Sequence, residues 1–285
     1  MIFLAYYLKI ILFTVAVPLA FGLAVGLCHR LFCRLVGKGC AAPLLLATHT
    51  VIMPIREFLH LVAAFVCLHG IDDFRLLQLH DPEGEIGFVE HSYNRRNPIA
   101  VFGNFLFAIL PAVGGLLLVF AISRLCFGDT FAAFCDTFTA LTANTVGGVG
   151  ACFEVALGFL PALFQSGEGS LLLKFVGCLL LTVLSLGVYV SCRELFEGVK
   201  GFLIYAIAAF LFAVVTFLAD VRLRGMVTGG LAAFCAGVVA LFAVVLIFNA
   251  LALILAMIVF VYRTLRGEPR TDNVGTEVVF YGEEP

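Results

Sequence analysis

Charge is what this sequence has least of. Only 13% of its 285 residues are Asp, Glu, Lys or Arg, against 62% hydrophobic, and the mean hydropathy is +1.12. A soluble domain is roughly a quarter charged, and a chain this poor in ionisable groups could not cover a water-facing surface. That excludes an ordinary cytosolic enzyme and a disordered regulator. A basic excess is also missing, the net charge being −2, so a nucleic-acid partner is excluded too. Tryptophan is absent. The ten cysteines include no C-x-x-C pair. Most of them lie in or beside apolar runs and read as reduced, small packing residues. Gly114-Gly115, Gly147-Gly148 and Gly229-Gly230 lack any surrounding phosphate-loop pattern, which leaves them as close-approach positions for helices. No internal repeat is evident.

What is present is a series of long apolar runs. A spanning helix needs about 20 mostly apolar residues, and the runs near 2–28, 41–69, 98–126, 171–192, 200–220 and 228–262 meet that need. The expected fold is an all-α polytopic membrane protein of about six transmembrane helices with a small β-hairpin insertion. The first run is too long for a signal-peptide core and reads as a retained helix. Pro43 and Pro54 are expected to break or kink the second run. The apolar stretch 130–165, studded with Thr, Asn144 and glycine, reads as an interrupted span or an interfacial helix.

The acidic stretch 71–96 is not a span. Its runs Phe74–Leu79 and Ile86–Val89 flank Asp81-Pro82-Glu83-Gly84, which predicts a hairpin at about 71–93. Residues 1–262 then form the bundle and 263–285 a soluble, mobile tail. By charge bias Arg30, Arg34 and Lys38 mark a cytoplasmic loop, as do Arg222, Arg224 and the start of the tail, but with six spans the Arg222 loop and the tail fall on opposite sides and the orientation stays open.

Five of the six histidines fall between residues 49 and 91. Ionisable side chains inside a span are costly and point to function. Arg56, Glu57 and His60 share one apolar stretch. Four apart on a helix, Arg56 and His60 share a face, with Glu57 beside them. This is the spacing of the zinc-protease helix H-E-x-x-H, here written R-E-x-x-H. As a bare four-residue pattern it equally describes a buried ion pair.

The wider arrangement resembles the site-2 protease family of intramembrane zinc metalloproteases, in particular an uncharacterised bacterial branch. The resemblance covers about residues 40–215. It rests on the motif helix, on Gly87-Phe88-Val89-Glu90-His91-Ser92-Tyr93-Asn94, on Gly103-Asn104-Phe105 with Pro111, and on Ser191-Cys192-Arg193-Glu194 before Gly198-Val199-Lys200-Gly201. It implies an integral protein of a bacterial cytoplasmic membrane. By position it places the first metal-ligand His on Arg56, the general base on Glu57, the second His on His60 and the carboxylate ligand on Glu194.

Arg56 cannot ligate zinc, because its guanidinium stays protonated. A fixed cation there would also repel Zn²⁺. His60 and Glu194 alone fall short of a catalytic ligand set, with His49 or His91 as substitutes. Bound zinc is therefore less expected than none. Three functions compete. One is a catalytically altered or inactive member that binds a membrane protein or peptide. The second is an active zinc protease with Glu57 as general base. The third is a transporter or channel using Glu57, His60, Asp136 and Glu154.

Beyond lipid, the expected partner is a peptide strand or membrane protein. His91, Tyr93, Asn94 and Asn104 could contact it, or could pin the hairpin exit and bridge helices. His69 and His80 read as solvated interfacial residues, and Asn249 as an amide bridging helices.

Overall fold

The computed structural model describes residues 2–36, 42–77, 87–143, 148–167 and 169–266. The chain begins with α1 (Ile2–Ile11), which passes through a π-helical turn into α2 (Val17–Val36). α3 (Ala42–Val66) leads into the strands β1 (Gly70–Arg75) and β2 (Phe88–Ser92). Next come α4 (Pro98–Ala143), α5 (Gly148–Gln165) and α6 (Leu171–Ser185). A short α7 (Cys192–Glu197), then α8 (Val199–Ala219) and α9 (Val221–Leu265), complete the described chain.

Five helical segments are long and apolar enough to cross a bilayer: Ile2–Val36, Ala47–Val66, Pro98–Leu141, Val199–Ala219 and Val221–Leu265. The remaining expected run, near 171–192, folds as the 15-residue α6 followed by non-helical chain. The outer faces carry exposed Leu4, Leu8, Leu117, Leu125, Leu211, Leu218 and Ile258. Apolar surface on that scale belongs against lipid rather than water. The protein is an integral membrane protein.

α9 packs along α2, α4 and α6. The core between them is aromatic, with Phe127, Phe131, Phe159, Phe242 and Phe248 buried together. Asn249 of α9 donates through Nδ2 to the Ser185 carbonyl at 2.9 Å, joining α9 to α6. Gly114 and Gly115 lie against Leu59 and Val188, as close-approach glycines should. Gly229 and Gly230 do not behave that way. Nothing lies within 4 Å of a side chain built there, because this part of α9 is largely exposed.

Several expectations need correction. Pro54 does not break the second run; α3 is one helix with Pro54 inside it. Losing one backbone hydrogen bond is tolerated in a helix packed by neighbours. The last helix runs to Leu265, so the tail begins later than residue 263. The stretch 130–165 divides between the end of α4 and α5. α4 itself turns at Gly128 (φ 48°, ψ −121°), a backbone conformation only glycine adopts readily.

β1 begins at Gly70, earlier than the predicted Phe74, and every residue in it is exposed. Hydrophobic alternation cannot mark such a strand. The strands pair antiparallel with Gly70 opposite Ser92 and Arg75 opposite Phe88, and with an irregularity between Ile71 and Asp73. The predicted turn Asp81–Gly84, His80 and most of the tail lie outside the described residues.

Candidate functional site

α3 brings Arg56, Glu57 and His60 to the interior of the bundle, where they are 6%, 2% and 3% exposed. The first turn of α7 brings Glu194 to the same place. Arg56 Nη2 donates to Glu194 Oε1 at 2.5 Å. His60 Nε2 is 3.8 Å from that same oxygen, and His60 Nδ1 is 3.2 Å from Glu57 Oε2. Four side chains from two distant parts of the chain therefore form one chain of contacts. Gly87, just before β2, lies over Glu57; a side chain there would meet Glu57 Cγ at 3.3 Å and the Leu76 carbonyl at 2.8 Å.

The segment between α6 and α7 explains why a cation sits here. Residues 186–191 thread the bundle without forming a helix, and Val188 and Val190 are buried. Broken backbone at membrane depth must find partners within the protein. Val190 donates its N–H to the Gly22 carbonyl at 3.3 Å. Arg56 Nη1 donates to the Tyr189 carbonyl at 3.4 Å, and its guanidinium lies 4.6 Å from the Tyr189 ring centre. Arg56 thus ties this segment to Glu194.

A cavity of about 440 Å³ opens beside the site, between the hairpin, α4 and α7. His60 and Glu194 line it from within, Val89, Glu90 and His91 from β2, and Asn104 and Phe107 from α4. His91 stacks on Phe107 at 4.2 Å and on His69 at 5.0 Å, and it shares the cavity wall with Asn104. Burial, aided by the positive fields of His69 and His60, holds His91 below the usual histidine range. The Val89 backbone and Asn104 partly offset that.

Tyr93 stacks on His69 at 5.3 Å. Asn94 is exposed and accepts the Arg96 N–H at 2.9 Å, so it shapes the turn into α4 and does not line the cavity. His69 is not solvated. It is buried, with Nε2 2.7 Å from the Ala100 carbonyl, in a space that Gly103 leaves open.

His49 does not join this group, although α3 is continuous. Its ring lies with His29 and Cys33 on α2. Asp136 and Glu154 are exposed and do not line the cavity beside His60. Residues that sequence reasoning passed over are Tyr189, whose carbonyl and ring hold Arg56, and the pair His29 and Cys33.

A catalytic zinc takes three protein ligands and keeps a fourth position open. At this site His60 Nε2 and Glu194 Oε2 are buried and have no hydrogen-bond partner among the described residues, so two donors can face a ligand. The Arg56 guanidinium beside them cannot ligate a metal and is paired with Glu194 Oε1. Among the described residues, the group of three donors close enough to share an ion is His29, Cys33 and His49. The residues around Glu57 do not fit a catalytic zinc set.

No family model matches the chain. No curated protein and no solved structure matches it either.

Proposed function

We propose that this is an altered relative of the site-2 protease-like membrane proteins, seated in a bacterial cytoplasmic membrane, that binds an extended peptide segment without cutting it. The observation that carries the reading is the 2.5 Å pair between Arg56 and Glu194. In the resemblance these are the positions of two metal ligands. Here one has become a fixed cation that neutralises the other, so charge balance is kept without a metal. With no metal to lower the pKa of a water or polarise a carbonyl, Glu57 has no activated nucleophile to serve. It is engaged with His60 instead.

The cavity supports binding. Among the described residues the sheet has two strands, and β2 presents Val89, Glu90 and His91 to the cavity. An edge strand next to a polar pocket accepts an extended peptide as an added strand.

The test uses the full chain in lipid nanodiscs with a single-pass membrane peptide. The peptide carries a photoreactive group in a Gly/Pro-interrupted, extended stretch. The expected outcome is crosslinking to β2 with the peptide recovered uncut. Cleavage products that vanish in Glu57→Gln would establish an active protease and overturn the proposal. Crosslinks that avoid β2 would overturn the edge-strand mode.

A further inference from the structure

A second polar cluster lies beyond Tyr189. His29 and Cys33, four residues apart, project from one face of α2, and His49 of α3 meets them. One donor atom from each lies within 4.8 Å of the other two. Cys33 Sγ and His29 Nε2 are 3.6 Å apart. Two donors sharing a soft ion, at about 2.0 Å to nitrogen and about 2.3 Å to sulfur, stand about 3.5–3.7 Å from each other. That pair is already at the spacing of two ligands on one ion.

Both imidazoles are buried. The His29 ring is held by the thiol contact and by stacking on Tyr189 at 4.5 Å.

We propose that His29, Cys33 and His49 form a binding site for monovalent copper. A thiolate with two imidazoles is a donor set for soft ions, Cu(I) and Zn²⁺ above all. Three donors complete a trigonal Cu(I) site, whereas zinc takes a fourth ligand. Charge decides the same way. A thiolate and Cu⁺ sum to zero, whereas Zn²⁺ would leave a net positive charge. The Arg56 guanidinium rests on the same Tyr189 ring that His29 stacks on, so an uncompensated charge here would add to the cation already buried nearby.

On binding, the Cys33 S–H bond is replaced by an S–Cu bond and the proton leaves to solvent. The metal arrives as Cu(I), so no electron is transferred. Cys33 is three residues from the end of α2, and His49 is seven from the start of α3. The site therefore lies near one end of the bundle, a short path from water. The inference does not depend on the reading of the Arg56 site.

The test titrates purified full-length protein in detergent with Cu(I) against the chromogenic chelator bicinchoninate, with Zn²⁺ in a parallel arm. The expected result is one Cu(I) per chain, with an X-ray absorption spectrum of one sulfur and two nitrogen donors. Cys33→Ser and His49→Ala should each weaken binding at least tenfold. Cys33→Ser exchanges a single atom, and an unchanged thermal unfolding profile shows that it folds. Three results would overturn the proposal: no Cu(I) taken by the wild type, one Zn²⁺ taken but no Cu(I), or Cys33→Ser binding as tightly as the wild type.

Discussion

Glu194→Gln removes one charge from a pair whose partners are 6% and 13% exposed. At an effective dielectric of about 20, two unit charges about 4 Å apart attract by about 4 kcal/mol. Stranding one member of a buried pair costs about 3–5 kcal/mol. Arg56 would keep the Tyr189 carbonyl and ring, and a desolvated cation–ring contact is worth up to about 2 kcal/mol. The net loss expected for Glu194→Gln is therefore about 3 kcal/mol. Arg56→Met should lose a similar amount, because it leaves a buried carboxylate unpaired and the Tyr189 carbonyl without its donor.

The double variant removes both charges. Its loss should be about 1–2 kcal/mol against about 6 kcal/mol if the singles simply added, which leaves a coupling energy of about 4–5 kcal/mol. Thermal unfolding in mild detergent, followed with a thiol-reactive dye, reads this directly, since Cys67, Cys126, Cys178 and Cys235 are buried until the bundle opens. At about 2–4 °C per kcal/mol, each single variant melts about 6–12 °C lower and the double variant recovers part of that. A double variant whose loss equals the sum of the singles would show that Arg56 and Glu194 do not act as a pair.

Three further outcomes follow from the geometry. Because His91 in the folded protein sits below the usual value of about 6.5, proton uptake favours the undocked hairpin. The stability that His91 contributes is complete above about pH 6.5 and is lost as pH falls toward its folded value. Amide exchange at Phe88–Ser92, corrected for intrinsic rate, should therefore quicken on acidification, and His91→Phe should abolish the effect. An exchange rate indifferent to pH would count against the His91 docking described above.

Leu68 caps α3 with φ 58° and is 66% exposed. The left-handed backbone there costs an L-residue about 1–2 kcal/mol, so Leu68→Gly should raise the melting midpoint by a few degrees; a fall would contradict it. A side chain at Gly201 would stand 2.6 Å from the Val101 carbonyl oxygen. Gly201→Ala should therefore push α8 from α4 and cost about 1–3 kcal/mol, measured in the same melt.

The membrane bundle was legible because charge scarcity and run length are crude signals that survive without any detail of packing. The site was legible in half. Arg56, Glu57 and His60 announce themselves by helical spacing, with polar residues in an apolar stretch. Glu194 is 138 positions from Arg56, and only the resemblance pointed to it. Tyr189 carried no signal, because it contributes chiefly a backbone carbonyl and a ring face.

His49 was offered only as a substitute ligand. It is two helical turns from Arg56, but its ring turns toward α2, where His29 and Cys33 supply a better set of neighbours. The spacing of His29 and Cys33 was visible in the sequence, yet two residues on one face say nothing until the third arrives from another helix. β1 was misplaced because a fully exposed strand has no buried face to impose alternation. His69 was misjudged because its burial depends on the space left by Gly103, one helix away.

The claim that Arg56 stands in for a metal is tested most directly by zinc stoichiometry in a Cys33→Ser background, which removes the thiolate cluster from the count. In that background the protein should hold no zinc dependent on His60. Adding Arg56→His should create one zinc per chain, lost again on His60→Ala or Glu194→Gln. A protein that retains Arg56 and still carries one zinc, lost on mutating His60, would contradict it.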